Sequence, residues 1–132
     1  MHRFLVLLAV AAALAACSAT IVGPGPVPSG TWGGSQGNLV IYADSAALDL
    51  PCAAGRIPAP LATDASGAFD VSGLWAPQVG PVRVDGPDWR SARFTGRRTG
   101  DLLQVNVQLA GGVTVGPLAF RRGVVGQFPR CL

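Results

Sequence analysis

A chain of 132 residues with a formal net charge of +3 is long enough for one small domain and no more. Its 10 basic groups are all arginine, its 7 acidic groups are all aspartate, and its one histidine is His2. Beyond the first residues there is no imidazole, which removes His-based nucleophilic catalysis and most His-ligated metal chemistry.

His2 and Arg3 give a short positive start, and residues 4–16 are continuously apolar. Thirteen residues are too few for about 30 Å of hydrocarbon, which takes about 20, so the run reads as the core of a signal peptide. Leu14-Ala15-Ala16-Cys17 follows at once and resembles the bacterial lipobox, in which the peptide is cut before a cysteine whose thiol carries diacylglycerol as a thioether. The resemblance implies a signal peptide at 1–16 and a fatty-acyl anchor of the palmitate type on Cys17. Ordinary cleavage after Ala15, using Ala13-Leu14-Ala15, is the other reading. Ser18 resembles the sorting signal of Gram-negative lipoproteins bound for the outer membrane, which implies a periplasm-facing location in the cell envelope.

Three cysteines in an exported chain leave one unpaired, whereas lipidating Cys17 leaves Cys52 and Cys131 as an even pair. A disulfide between them closes a loop of roughly 80 residues and stabilises by about 4 kcal/mol on the chain-entropy model. Two buried free thiols are the alternative. Residues 17–30 carry Pro24, Pro26 and Pro28 among glycines, a composition suited to an extended tether rather than a core.

From residue 31 to 132 the punctuation is Gly, Pro and Asp, and the periodicity between marks is two. Residues 39–42 and 48–52 form a predicted hairpin, and 57–61, broken by Pro58 and Pro60, is an edge strand or a crossing segment. A turn at 64–67 leads into a strand over 68–73. Residues 74–91 hold Pro77, Pro81 and Pro87 and read as a long loop with one short strand at Val82-Arg83-Val84. The clearest hairpin pairs 92–98 with 102–109, where Leu103, Val105, Val107 and Leu109 alternate with Gln104, Asn106 and Gln108. Residues 113–122 form the next strand, and 124–128 are read as a further return before Cys131. The predicted fold class is all-β, a small antiparallel up-and-down β-barrel of seven or eight strands, with a seven-stranded β-sandwich as the alternative. A single Tyr argues against an outer-membrane barrel, which needs aromatic girdles.

Gly30-Thr31-Trp32-Gly33-Gly34, Cys52-Ala53-Ala54-Gly55, Gly67-Ala68-Phe69-Asp70-Val71, Gly80-Pro81-Val82-Arg83, Ala92-Arg93-Phe94-Thr95-Gly96 and the terminal Cys131-Leu132 together resemble an uncharacterised family of small exported bacterial proteins. That resemblance implies a compact β domain with one disulfide and no particular activity. Gly30-Thr31-Trp32 also resembles the Gly-x-Trp that opens the first strand in the calycin superfamily of lipocalins and avidins. It implies that Trp32 plugs the barrel base under a late basic residue, Arg122 or failing that Arg121, a stacking worth about 0.5 to 2 kcal/mol.

The seven aspartates fall mostly in turns, where they bond the local backbone, and only Asp85 and Asp88, beside Trp89 and Arg90, form a cluster. Arg90, Arg93, Arg97 and Arg98 could form a basic stripe, although a solvated face accounts for them equally. Trp75 and Trp89 flank the irregular loop and are the candidate recognition elements, with capping of the core as the equal alternative. The expected function is a non-enzymatic, lipid-anchored envelope protein whose barrel binds a small ligand or another envelope protein, without cofactor, metal or nucleic acid. The alternatives are an inhibitor of an exported hydrolase that offers the segment before Trp32, and an Asp-dependent hydrolase. An open internal cavity would favour a ligand carrier, and a filled core an interaction module.

Overall fold

The computed structural model describes residues 24–131, and all regular structure in them is β. The strands are β1 (Gly25–Pro26), β2 (Gly30–Gly34), β3 (Gly37–Ile41), β4 (Ala46–Leu50), β5 (Ala53–Ile57), β6 (Ala62–Thr63), β7 (Ala68–Pro77), β8 (Arg90–Thr99), β9 (Leu102–Leu109) and β10 (Thr114–Arg122). Eight of them close an antiparallel barrel in the order β10-β2-β3-β4-β5-β7-β8-β9, while β1 and β6 pair separately. The chain is therefore an up-and-down meander, with residues 58–67 as the one excursion, and closure leaves no open sheet edge in the barrel.

Strict alternation builds the wall. Leu103, Val105 and Val107 are buried in the bore while Gln104 and Gln108 face solvent, so period two in the sequence becomes inside and outside in space. The bore is filled by Trp32, Phe69, Phe94 and Phe120 among aliphatic residues. Three inward positions are glycines, and aromatic rings occupy the room a side chain would take. A Cβ at Gly55 would meet the Phe94 ring at 3.0 Å, one at Gly73 would meet it at 2.7 Å, and one at Gly96 would meet Phe69 at 2.7 Å.

The barrel has two rims. At the lower rim lie the start of β2, the turn between β3 and β4, residues 58–67 and the Gly100 turn between β8 and β9. The upper rim carries the turns after β2, β4 and β9 and the loop 78–89. The segment expected to be a free tether is partly docked on the lower rim. Gly25 and Pro26 pair with Thr63 and Ala62, the Val27 amide donates to the Leu61 carbonyl, and Val27 is 3% exposed within the core. Proline and glycine did not prevent docking, because one valine between them has an apolar site to fill. The folded unit thus begins about six residues before Thr31. Cys17 and the segment 1–16 expected to be a signal peptide lie outside the described residues.

Three further expectations need correction. The long loop is shorter than 74–91, since β7 runs on through Pro77 and β8 starts at Arg90; Pro77 is tolerated as the last residue of β7. Val82-Arg83-Val84 forms no strand, because no neighbouring strand pairs with it. Residues 124–128 form none either, and instead belong to a strap over 123–131 that crosses the outside of β2, β3 and β4.

That strap bears on closure. β10 meets β2 in register only at Arg121 with Gly33 and Arg122 with Trp32, whereas β7 and β8 stay paired from Ala68 with Arg97 to Trp75 with Arg90. The strap reinforces the short seam. The Gly123 amide donates to the Thr31 carbonyl, the Asn38 amide group exchanges two bonds with Gly126 across 88 residues, and Arg130 grips Asp49 through two bonds of 2.7 Å. Cys131 then joins Cys52 in a disulfide, with Cα atoms 5.0 Å apart. The bond fastens the strap at the upper rim rather than sealing first strand to last, a task left to β10 and β2.

Gly126 has no room for a side chain, since a Cβ there would meet the Gly37 carbonyl oxygen at 2.8 Å and the Gly34 amide at 2.9 Å. Gly126→Val is expected to lift the strap and cost about 1 to 3 kcal/mol. A thermal melt beside wild type measures this, and an unchanged midpoint would show that the strap contributes nothing to closure.

The turn into β7 is organised by one carboxylate. Asp64 Oδ1 accepts from Ser66 Oγ at 2.7 Å, from the Ser66 amide at 2.8 Å and from the Ala68 amide at 3.0 Å. The Ser66 hydroxyl, followed by the two amides, holds the Asp64 carboxyl below its ordinary value. A carboxyl whose folded pKa is depressed stabilises the fold fully at neutral pH and loses that contribution as pH falls below about 4. The gap between melting temperatures at pH 7 and pH 3 should accordingly narrow in Asp64→Ala. A gap as wide as that of wild type would place the acid sensitivity elsewhere.

Candidate functional site

Trp32 is fully buried, and its indole Nε1 donates to the Pro28 carbonyl at 3.1 Å, so the residue plugs the lower end of the bore. The cation over its ring is Arg98, 5.7 Å from the ring centroid, and neither Arg122 nor Arg121. Arg122 does stand opposite Trp32 on β10, in the inward row with Leu118 and Phe120. It lies beyond Phe120 at the rim, however, and its guanidinium is 4.0 Å from Asp101 in the turn between β8 and β9. Arg98 extends the inward row of Phe94 and Gly96 and reaches the ring from β8.

The two candidate recognition tryptophans are not together. Trp75 lies within β7, faces the bore and is 8% exposed, so it caps the upper end of the core. Beside it a hollow of about 140 Å³ opens at the rim between Pro77, Arg90 and Leu109. Trp89 sits at the end of the loop on the outer wall, half-buried, with the Arg56 guanidinium 4.4 Å from its ring centroid. Trp89 therefore pins the loop to β5 instead of offering a free aromatic face.

The acidic and basic clusters also disperse. Asp88 is bound by Arg90 at 2.7 Å, which holds its carboxyl below the usual range, while Asp85 is exposed. They form no convergent carboxylate pair. Arg93 on the outer wall is paired with Asp70, which lowers that carboxyl, and Arg97 lies on the same wall. Arg90 and Arg98 belong to the inward row, at opposite rims, so the four arginines make no single stripe. Among the described residues no group of three His, Cys, Asp or Glu could hold a metal ion.

What the sequence reading passed over is the tip of the upper-rim loop. Val79, Val82 and Val84 are 66%, 98% and 103% exposed, three aliphatic side chains within six residues. Scattered exposed aliphatics are ordinary, but a cluster on one loop marks a contact surface. The loop is firmly based, with the Gln78 amide donating to the Cys52 carbonyl at 2.7 Å and Trp89 stacked at the other end. Between loop and strap lies a groove of about 300 Å³, walled by prolines and by Val79 and Val82, with Arg83 and Arg130 as its charged lining and Cys131 at its edge. The available signal was a set of valines at 79, 82 and 84 placed between prolines at 77, 81 and 87, which leave little room for a paired strand.

The fold and site define a closed, filled eight-stranded barrel with a valine-bearing loop and a mixed polar and apolar groove at one rim. Comparison with protein-family models, curated proteins and solved structures finds no match to the chain.

Proposed function

We propose that this chain is a lipid-anchored protein of the cell envelope that acts without catalysis, as an interaction module, through its upper rim. The observation that carries the reading is the contrast between the two apolar regions. The bore is occupied by its own aromatic side chains, while three of the exposed valines, among them the two most exposed, stand on the loop 78–89, with others in the strap and at Val113. A filled bore argues for binding on the outside rather than carriage within. The docking of Val27 speaks against the inhibitor alternative in its N-terminal form, because that segment is engaged by the barrel itself.

The anchor assigned to Cys17, by its resemblance to the lipobox, places the lower rim toward the bilayer. Pro24 stands seven positions after Cys17, a separation that spans at most about 25 Å. The upper rim then faces away from the membrane, toward the periplasm if the sorting resemblance of Ser18 holds. Metabolic labelling with a fatty-acid analogue should mark the wild-type chain and not Cys17→Ala. A photo-crosslinking residue at position 82 should yield an adduct with a second envelope protein, while one at position 106 on the outer wall should not. Equal adducts from both positions, or none from position 82, would remove the upper rim from consideration.

A further inference from the structure

The groove beside the loop tip has a composition that selects its occupant, and the inference rests on the upper rim being the interaction surface. Its lining mixes proline rings and the flank of Val79 with a comparable share of polar backbone and side-chain surface, which suits a ligand that is part apolar and part polar. The charged groups in its lining are both arginines. Arg130 is bound to Asp49, whereas Arg83 makes no direct ion pair among the described residues; the acid that feels its charge is Asp88, whose carboxylate is already bound by Arg90. The backbone adds a third requirement. Among the described residues the amides of Val79, Gly80, Val82 and Arg83 make no hydrogen bond, and an acyl chain laid over them would strip their water without replacing it. A peptide replaces that water with its own carbonyls.

The geometry points to capture of the apolar C-terminus of a partner protein, with its last side chains among Pro81, Val79 and Val82 and its terminal carboxylate on Arg83. About 300 Å³ accommodates two aliphatic side chains of a terminal peptide and not a folded surface. The carboxylate is the discriminating element, since a charge-assisted bond to a guanidinium is lost entirely when the terminus is blocked.

The test measures binding of labelled hexapeptides ending in Leu-Val or Val-Leu to the full chain as cells process it, each with a free carboxyl and as the C-terminal amide, with decanoate as a separate arm. Free-acid peptides should bind at least about tenfold more tightly than their amides, and Arg83→Gln should erase that difference. Arg97→Gln, on the outer wall, should leave it intact, and both variants should melt as wild type does. Equal binding of acid and amide, binding of decanoate in preference to peptide, an undiminished difference in Arg83→Gln, or no peptide binding up to about 1 mM would each overturn the assignment. A crosslink from position 82 together with failure of every peptide would leave the upper rim as an interaction surface and reject terminus capture alone.

Discussion

Replacing both Cys52 and Cys131 with serine is expected to lower the unfolding free energy by about 4 to 5 kcal/mol, by the chain-entropy account of closing a loop with the observed separation of 79 residues. That is a large part of the stability available to a domain of this size, typically about 5 to 15 kcal/mol. The effect has a folded-state component as well. The disulfide holds the far end of the strap, and the strap supports a seam at which β10 and β2 share little register. Urea denaturation of the double variant measures the loss, and the oxidised and reduced wild-type chains give the same comparison without mutation. A loss below about 1 kcal/mol would mean that Arg130, Asn38 and Gly126 hold the strap without the covalent bond.

The second large effect is expected at Phe94. The ring is 1% exposed and lies over the bare backbones of Gly55 and Gly73, so the neighbours that normally collapse into a cavity have no side chains with which to do so. Phe94→Ala is accordingly expected near the upper end of the usual cost of about 3 to 5 kcal/mol. The complementary change makes the contact measurable as a pair. Gly55→Ala puts a methyl 3.0 Å from the Phe94 ring and 3.2 Å from the Leu48 Cβ, a crowding that should destabilise the wild-type background. In a Phe94→Leu background the same methyl has space, so the two changes should be clearly non-additive in a double-mutant cycle. Additive costs would show that ring and glycine do not share one packing site.

How much of this could be read beforehand depended on whether side chains or their absence carried the information. The hairpin from β8 to β9 was legible because Leu103, Val105 and Val107 alternate with polar residues around a Gly100 turn with positive φ, and the closed all-β barrel followed from such segments. β2 was harder to read. Gly30–Gly34 contains one large side chain, so periodicity has almost nothing to act on, and its pairing with β10 is a property of closure rather than of local sequence. The strap was misread as a strand for the converse reason. Val124 and Val125 look like strand residues, but both are exposed, and the segment is held by backbone bonds and by Arg130.

The candidate site was legible in location and not in composition. The proline-punctuated stretch was recognised as the irregular part of the domain, and its tryptophans were read as recognition elements or, equally, as caps of the core. Trp75 proved to be the cap of the core and Trp89 a rivet against Arg56, both consequences of the size of the indole and of nearby apolar or cationic partners. The exposed valines escaped notice because Val82-Arg83-Val84 has the alternation of a strand, and no local pattern says that a strand will lack a neighbour. Arg122 was assigned to Trp32 from the correct inward row, but the competing attraction of Asp101 depends on how the rim folds.

The order of the strands also governs when the domain can close as the chain folds. The first barrel strand and the last are partners, and the covalent clasp joins Cys52 to Cys131 across 79 residues, so neither can form until β10 and the strap are free to fold back. Until then both flanks of the growing sheet are unsealed, and pairings this distant along the chain are slow to find each other. The vulnerable period lasts until β10 reaches β2, and before then the unpaired flanks are open to pairing with other chains.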